Sequence, residues 1–366
     1  MICYLLLSPT VGMHQYTADL ANRAAAAFGA GEAHLVTTAA WARDRYAPDL
    51  PVQTPVSTTG TGFAREGLQW AAPRRALATI ERVHPDVVHI TGVHAWNVLL
   101  ARWLRRHGIP VVHTLHDLDP HHGVRHAGLI RLWNRLIVGS VVHILVHGEC
   151  YRQRLQEWSV APERVTSVPL LHLFLSHAAT QRLGPLPQEM RPRSGPAQAL
   201  FFGRVEAYKG ADTLLAAWSR LGSQARLVIA GPVAADVALP PLPPGVELRD
   251  RLIGDEEALA LFGRFSLLVL PYRDATQSAL VAAAYYFGLP VIVTRTGALP
   301  EYVVEGETGW VVPPDDPAAL AAALDEALAD PARLRWMGQQ GQEWYRAQRN
   351  GEELSLSQMY AAVKNS

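Results

Sequence analysis

The chain has 366 residues, of which 49% are hydrophobic and 18% charged, a composition that suits a folded protein of two domains and excludes a disordered one. Lysine plus arginine equals aspartate plus glutamate at 33 each, so we expect no nucleic-acid partner. Two cysteines, no basic leader and no apolar stretch long enough to span a bilayer favour a cytoplasmic protein.

Short β-branched runs alternate with amphipathic stretches, which predicts an α/β fold with parallel sheets built from βαβ units. In the first half we predict strands at 2–7, 33–37, 87–90, 111–115 and 142–147, with helices at 16–28 and 98–106. In the second half we predict strands at 199–203, 226–230, 246–249, 267–270 and 291–293, with helices at 211–220, 255–262, 279–287 and 317–329 and a helical tail after 330. The Pro- and Gly-rich stretch 179–198 predicts a linker between domains at 1–178 and 199–345, with a final helical segment at 346–366.

The stretch 271–288 carries the first candidate binding feature. Thr276, Gln277 and Ser278 stand where a helix would begin at Ala279, and their side chains are of the kind that cap a first turn. Free amides and the positive end of the helix dipole make such a turn a seat for a phosphate. An ordinary capped helix of an α/β protein is the alternative.

Two cations follow the first strand of the second half. Arg204 comes directly after the strand, and Lys209 precedes the next helix, so both should lie at the carboxyl edge of the sheet. There they could neutralise a diphosphate, although Arg204 could instead pair with Glu206 and Lys209 could be solvated. A third turn, 297–301, ends in Glu301 at the same edge.

These motifs together resemble the C-terminal domain of GT-B glycosyltransferases, specifically retaining glycosyltransferase family four. The resemblance extends over essentially the whole chain. Its motifs are Gly203-Arg204, Lys209-Gly210, Pro271, Gly288-Leu289-Pro290-Val291, Gly297-Ala298-Leu299-Pro300-Glu301 and Thr308-Gly309-Trp310-Val311-Val312. It implies the GT-B fold, in which two Rossmann-like parallel-sheet domains face a cleft and a C-terminal helix, here 346–366, packs back on the first domain.

The resemblance also implies a function. A nucleotide-diphosphate sugar would be the donor substrate and a glycan or lipid-linked molecule the acceptor, with retention of configuration and with no metal or other cofactor. The leaving phosphate would help to deprotonate the acceptor, so no side-chain nucleophile is needed. Arg204 and Lys209 would hold the diphosphate and 246–253 the base. The remaining expected donor contacts are Gly203, Ile253, Thr276, Gln277, Ser278, Ala279 and Glu301.

One departure from the family pattern concerns two glutamates that the family carries eight positions apart. Ala275 and Ala283 occupy these positions, and the sequence resembles the subset with a Thr-Gln-Ser turn. Either Gln277 and Ser278 replace the carboxylates with neutral hydrogen bonds, or the chain is a catalytically silent binding or scaffold subunit. We expect retained activity, because Arg204 and the other cleft motifs persist. A nucleotide-sugar epimerase is a third reading, but its acidic and histidine catalysts are not recognisable.

The first domain would supply the acceptor side. A glycine turn after the first strand contains Gly12 and His14, and in relatives such a loop approaches the sugar and phosphate, although a simple βα turn explains Gly12 equally well. His116 matches the family's active-site histidine at a strand end, where a structural histidine is the alternative. His14 and Asp117 are the predicted acceptor contacts, with Asp117 orienting the hydroxyl.

Two further features lie near His116. One is a cluster close in sequence, formed by His116, Asp117, His121, His122 and His126. Its spacing fits no standard zinc pattern, so we predict no metal site. Segment 124–137 mixes arginine with leucine and tryptophan in the pattern of a basic amphipathic helix. Such a helix could contact the inner face of an anionic membrane, and 95–106 is a second candidate; packing against the sheet is the alternative.

Overall fold

The computed structural model describes residues 1–57, 60, 71–118, 127–183, 197–222 and 225–365. They form two compact units, one of Met1–Arg182 with Gly351–Ser366 and one of Leu183–Asn350. Residues 184–196, most of the predicted linker 179–198, lie outside the described residues. Among the described residues, no helix combines the length and apolar character that crossing a membrane requires.

The first unit contains a parallel sheet of seven strands in the order β3-β2-β1-β4-β5-β6-β7. The strands are β1 (Ile2–Leu6), β2 (Ala33–Thr38), β3 (Val52–Val56), β4 (Val87–Ile90), β5 (Val111–Thr114), β6 (His143–Val146) and β7 (Val165–Ser167). The helices are α1 (Val11–Phe28), α2 (Ala71–Val83), α3 (Asn97–Arg106), α4 (Ala127–Val138), α5 (Glu149–Glu157) and α6 (His177–Leu183). Strands β1, β4, β5 and β6 are buried along their whole length, which explains their continuous apolar runs.

The start of α1 differs from the prediction. The helix begins at Val11 rather than at residue 16, because Thr10 adopts an extended conformation (φ −69°, ψ 125°) immediately before it. Gly12 and His14 therefore lie in the helix, and the predicted glycine turn was wrong. Strands β3 and β7 and helices α2, α5 and α6 were not predicted, and neither was the last strand of the second unit, Gly309–Val312.

The second unit contains a parallel sheet of six strands in the order β10-β9-β8-β11-β12-β13. The strands are β8 (Gln198–Phe202), β9 (Arg226–Ala230), β10 (Val246–Arg249), β11 (Leu267–Leu270), β12 (Val291–Thr294) and β13 (Gly309–Val312). The helices are α7 (Ala211–Trp218), α8 (Asp255–Arg264), α9 (Ala279–Tyr286), α10 (Pro317–Ala329) and α11 (Pro331–Lys364). Two Rossmann-like parallel-sheet units therefore confirm the predicted fold class.

Helix α11 runs without interruption from Pro331 to Lys364, and the boundary between the units falls within it. Its last part completes the first unit. Glu352, which is buried, accepts a 3.0 Å hydrogen bond from Arg23 of α1. The buried Tyr360 hydroxyl lies 2.6 Å from Nδ1 of His89 in β4.

Candidate functional site

The strand order of the second sheet identifies its ligand-binding edge. Strands β8 and β11 are neighbours although two strands lie between them in the sequence, so the chain direction across the sheet reverses there. Ligands of open α/β sheets bind at the carboxyl ends of the strands at such a switch point. The loops that leave the sheet here are 203–210 and 271–278, which carry the predicted cations and the Thr-Gln-Ser turn.

Lys209 is held close to the backbone of this edge. It ends a 3-10 turn, Ala207–Lys209, and its side chain is only 14% exposed. Its ammonium lies 5.7 Å from the ring centre of Tyr208 and 5.9 Å from that of Tyr272. A Cβ added at Gly203 would lie 3.8 Å from Lys209 Nζ, so the cation sits over the end of β8. The solvated alternative for Lys209 is therefore wrong.

Burial has an electrostatic cost at this position. Desolvation lowers the pKa of Lys209, the neighbouring Arg204 lowers it further, and Glu206 opposes both. Glu206 lies 3.8 Å from Lys209 and 3.6 Å from Arg204, so the Arg204–Glu206 pair considered from the sequence is present. Arg204 is 61% exposed, and an exposed pair of this kind is weak. An incoming diphosphate would therefore compete with Glu206 for both cations.

Helix α9 points its amino end at the same place. Ser278 adopts an extended N-cap conformation (φ −148°, ψ 122°), and its hydroxyl accepts a 3.3 Å hydrogen bond from the amide of Leu280. The side chain of Leu280 also lies 3.8 Å from a Cβ added at Gly203. Lys209 and the positive end of α9 therefore flank the same glycine, which is the arrangement an anion site requires. Thr276 is buried, whereas Gln277 and Ala279 are half-buried.

Two glycines allow the loops of this edge to approach one another. Gly210 has a left-handed backbone (φ 65°), and a Cβ there would overlap the carbonyl oxygen of Pro271. Gly297 (φ 50°) packs in the same way on the carbonyl oxygen of Ala275. The amide of Ala298 donates to the carbonyl of Thr276 at 2.9 Å, so the third predicted motif is joined to the second. Glu301 is exposed in the 3-10 turn that follows.

The two alanines at the positions of the family glutamates are both buried. Ala275 is 4% exposed, and Ala283, in the interior of α9, is fully buried. Neither offers a polar group, so polar contacts from this turn fall to Gln277 and Ser278.

The predicted base-binding segment 246–253 consists of β10 and the turn after it. Arg249 donates to Glu247 at 2.7 Å and to Glu257 at 2.8 Å, and Arg251 donates to Glu257 at 2.6 Å. These ion pairs fix the turn, and Ile253 is half-buried within it.

The corresponding edge of the first unit lies between β1 and β4, where that sheet reverses. Gly12 is half-buried, and a Cβ there would meet no atom within 4 Å. His14 is fully buried and its Nδ1 lies 2.8 Å from the hydroxyl of Tyr46. Burial lowers the pKa of His14 to about 4, so its ring is neutral. In this position His14 supports the packing of α1 rather than presenting a group to an acceptor.

His116 lies at the end of β5 and is 3% exposed. Its Nε2 donates a 3.0 Å hydrogen bond to the carbonyl oxygen of Thr91, which fixes the proton on that nitrogen. Burial lowers the pKa of His116, although Asp117 beside it opposes the change. Asp117 itself is half-buried.

The partners of His116 were not predicted from the sequence. Its ring meets Tyr16 edge-on at 4.9 Å and lies 5.2 Å from that of His147. Tyr16 also contacts His172 at 6.0 Å. Burial lowers the pKa of His147 as well. These side chains come from α1 and from the ends of β5, β6 and β7, so no local spacing in the sequence indicates the cluster.

His121, His122 and His126 lie outside the described residues. Within the part of the chain that the structure describes, no group of three or more His, Cys, Asp or Glu side chains is arranged to hold a metal ion. The absence of a cofactor stays a prediction.

Both halves of the chain match models of glycosyltransferase families. Residues 11–170 match the model described as "Glycosyl transferase 4-like domain", and residues 196–330 match "Glycosyl transferases group 1". Together the two matches cover most of the chain, which belongs to the family-four-like glycosyltransferases.

Curated relatives agree with the assignment. Glycogen synthase from Mycobacterium tuberculosis is 31% identical over 75% of this chain and 66% of its own length, just under two thirds. D-inositol 3-phosphate glycosyltransferase from Streptomyces scabiei is 29% identical over 78% of this chain and 68% of that protein. D-rhamnosyltransferase WbpZ from Pseudomonas aeruginosa is 32% identical over 46% of this chain and 44% of its own length.

Solved structures share the fold of this chain. Sucrose-phosphate synthase from Thermosynechococcus elongatus matches with a TM-score of 0.74 and 20% identity over 99% of each chain. Anabaena HepE in complex with UDP matches with a TM-score of 0.70 and 15% identity over 97% of this chain and 99% of that one. The GT-B fold predicted from the sequence motifs is thus confirmed.

Proposed function

We propose that the chain transfers a sugar from a nucleotide-diphosphate sugar to a glycan or lipid-linked acceptor, with retention of configuration. The observation that carries the proposal is the position of Lys209 Nζ over Gly203, beside the amino end of α9. A diphosphate at this point would meet a buried ammonium, a helix dipole and the exposed guanidinium of Arg204. The UDP complex of the structurally similar Anabaena HepE is consistent with this choice of donor.

The chemistry we propose needs no protein nucleophile. As the sugar leaves, negative charge grows on the diphosphate, and Lys209 and Arg204 would stabilise it. Gln277 and Ser278 would contact the donor in place of the two family glutamates, whose positions Ala275 and Ala283 occupy. From the first unit, His116 and Gly12 would approach the transferring sugar, and Asp117 the acceptor. Ile253 would contact the base and Glu301 the sugar.

A thermal-shift screen tests the donor site. UDP, GDP, ADP and dTDP are added separately to the wild-type protein, to the Arg204→Ala/Lys209→Ala double variant and to Arg333→Gln. Arg333 is a matched control, because it pairs with Glu326 at 2.5 Å in the same unit but contributes nothing to the β8–β11 edge. At a nucleotide concentration of 100 Kd, wild type and control should gain about 2.7 kcal/mol of stability and the double variant should gain almost none. No shift with any nucleotide would contradict the proposal.

A second assay separates an enzyme from a silent binding subunit, which the buried Ala275 and Ala283 keep open as an alternative. The nucleotide sugar whose diphosphate binds is incubated with the protein alone, and free nucleotide diphosphate is measured. Slow hydrolysis that disappears in Lys209→Ala supports transfer activity, whereas tight binding without hydrolysis or transfer supports the silent subunit. Proton NMR of the first-formed product reports whether the anomeric configuration is retained.

We further propose that α4 contacts the anionic inner face of a membrane, which would place the protein at its cytoplasmic side. Leu129, Leu132 and Leu136 recur on one face of α4 and are 47%, 54% and 40% exposed. On the adjoining side of α4, Trp133 and Ile137 are buried, so the packing reading applies to that side and the membrane reading to the exposed leucines. In the second candidate segment, 95–106, the large apolar side chains Trp96, Leu100 and Leu104 are buried, which leaves α4 as the stronger candidate.

Two basic side chains support the choice of an anionic surface. Arg131 and Arg135 are exposed on α4, and Arg135 lies over the ring of Trp158 at 5.3 Å. Vesicle co-sedimentation tests the contact with phosphatidylglycerol-rich and pure phosphatidylcholine vesicles. We expect binding to the former alone and its loss in Leu132→Glu. The control Leu354→Glu changes a leucine of the same unit that is 61% exposed on α11 and should bind as wild type.

A further inference from the structure

Arg273 has contacts that the donor-site residues do not explain. Its backbone amide donates to the carbonyl of Tyr208 at 2.7 Å, and its Nη1 donates to the carbonyl of Ala207 at 2.9 Å. Both acceptors belong to the 3-10 turn that ends at Lys209. A single residue of the loop after β11 therefore binds two successive carbonyls of the turn after β8.

The guanidinium is itself anchored on the opposite side. Its Nη2 donates to Asp212 at 2.8 Å and to the hydroxyl of Thr213 at 3.0 Å, both in the first turn of α7. Its Nε forms an ion pair with Asp315, which precedes α10. Thr213 also donates to Asp315 at 3.2 Å, so the anchoring groups bond to each other. Four of the five guanidinium N–H groups are thus used.

The backbone of Asp315 indicates that this arrangement is strongly determined. Asp315 is one of the described non-glycine residues with a left-handed backbone, at φ 53°. Such a conformation costs about 1 kcal/mol even for aspartate, which tolerates it better than most residues. The surrounding hydrogen bonds and ion pairs must offset this cost. In this conformation the Asp315 carboxylate contacts Arg273.

The Lys209 turn also has hydrogen bonds of its own. Within it, the amide of Lys209 donates to Glu206 at 2.9 Å, and that of Gly210 donates to Ala207 at 3.4 Å, which are local bonds only. Replacing the Arg273 side chain would remove the long-range donor of the Ala207 carbonyl and the ties to α7 and Asp315, whereas the backbone amide at 273 would still bind Tyr208. The turn would then be held less firmly, and with it the position of the Lys209 side chain.

We propose that Arg273 is a positioning residue that holds the Lys209 ammonium in its anion-binding place over Gly203, and thereby joins the two loops of the donor site. The expected effect of Arg273 on donor binding rests on the proposed function, whereas its contacts with the Lys209 turn do not. Arg273 need not touch the nucleotide, because it acts through the turn.

Hydrogen–deuterium exchange on the nucleotide-free protein tests the geometry. In Arg273→Gln we expect the segment 205–211 to exchange at least tenfold faster, while the strands of the second unit keep their wild-type rates. Arg333→Gln, the loss of another part-exposed arginine of the same unit, should leave 205–211 unchanged. Unchanged exchange at 205–211 would overturn the proposal, and so would a uniform acceleration throughout the unit, since that outcome means a merely structural role. In Arg273→Lys, which keeps the charge on a single donor nitrogen, the exchange rate of 205–211 should lie between those of wild type and Arg273→Gln.

UDP binding, measured by calorimetry, tests the consequence in a double-mutant cycle. Arg273→Gln should weaken binding about tenfold in the wild-type background and less than twofold in the Lys209→Ala background, because the ammonium it positions is already absent. Equal losses in both backgrounds would overturn the proposal. If wild type binds no nucleotide diphosphate, the donor function fails, and the exchange measurement alone decides the positioning role.

Discussion

The carboxyl edges of the two sheets are built from opposite chemistry. All 15 histidines precede Leu183, and the second unit has none. At the carboxyl ends of β5 and β6, buried, neutral histidine rings surround Tyr16, whereas the β8–β11 edge presents the cations Arg204 and Lys209. The same parallel-sheet frame thus carries a proton-sensitive edge in one unit and an edge of lasting positive charge in the other.

The largest expected effect is that of acid, which should destabilise the first unit more than the second. Burial lowers the pKa of His89 and of His113 to about 3, and neighbouring histidines lower both further. Because the unfolded chain takes up these protons near pH 6.5, the free energy of unfolding of the first unit is fully present above that pH. It falls by about 1.4 kcal/mol per pH unit for each of the two as the pH drops towards 3. Exchange measured separately on each unit between pH 7 and 4 should show the first unit opening first.

A pair of variants provides the control for this measurement. His89→Gln keeps groups that can bond to Tyr360 and Thr114, and it should reduce the pH dependence by about 1.4 kcal/mol per pH unit. Leu354→Gln changes an exposed side chain of the same unit without altering a titratable group, and it should leave the dependence unchanged. Simultaneous opening of both units in acid would contradict the comparison.

The close packing of the loops after β8 and β11 depends on Gly210. In Gly210→Ala the new Cβ would overlap the carbonyl of Pro271 in a left-handed backbone, so we expect a loss of about 3 kcal/mol in the free energy of unfolding of the second unit. Urea unfolding monitored on that unit measures it. Gly222→Ala, where a Cβ meets nothing within 4 Å, should change the stability by less than about 0.5 kcal/mol. An equal effect of the two substitutions would show that the approach to Pro271 is unimportant.

His116→Gln tests whether the two edges act independently. Glutamine can still donate to the carbonyl of Thr91 but loses the ring contacts with Tyr16, so we expect the first unit to lose about 1–2 kcal/mol. Nucleotide affinity should stay within twofold of wild type, because the donor site belongs to the second unit. A transfer rate at least tenfold below that expected from the folded fraction would support a direct role at the reacting sugar.

The smallest expected effect is that of Gly12→Ala. Its Cβ would meet nothing within 4 Å, and alanine is favoured over glycine in a helix, so the melting temperature should stay constant or rise slightly. A loss of transfer activity at constant stability would then support a role of Gly12 in transfer, and unchanged activity would exclude Gly12 from the site.

The sequence predicted the parts of the fold that are local. Strands β4, β9, β10 and β11 lie at the predicted residues, because each is a short run bounded by turns. Strands β4 and β11 are buried along their whole length, whereas β10 is half-buried. Strand β3 was missed because Pro55 argues against a strand, and it lies at the edge of the sheet, where proline is tolerated. The start of α1 was misplaced because Gly12 indicated a turn, whereas Thr10 before it was the better boundary signal.

The donor-site motifs were predictable because parallel strands bring their carboxyl ends to one edge. Their adjacency was not, since the pairing of β8 with β11 is a property of the whole sheet. The contacts of Arg273 were equally hidden, because Asp212 and Asp315 lie far from it in the sequence. Lys209 could be assigned a charge from the sequence but not its burial between two tyrosine rings.

The C-terminal part of α11 has a consequence for biosynthesis. Residues 183–350 are contiguous, so the second unit has all its parts as soon as they leave the ribosome. The first unit emerges earlier but lacks the side chains of Glu352, Leu356 and Tyr360, which are buried in it. Arg23 and His89 must wait for these partners throughout translation. The half of the protein that is made first is therefore the half that is finished last, and a nascent chain stalled before residue 351 would expose its unfilled core to chaperones.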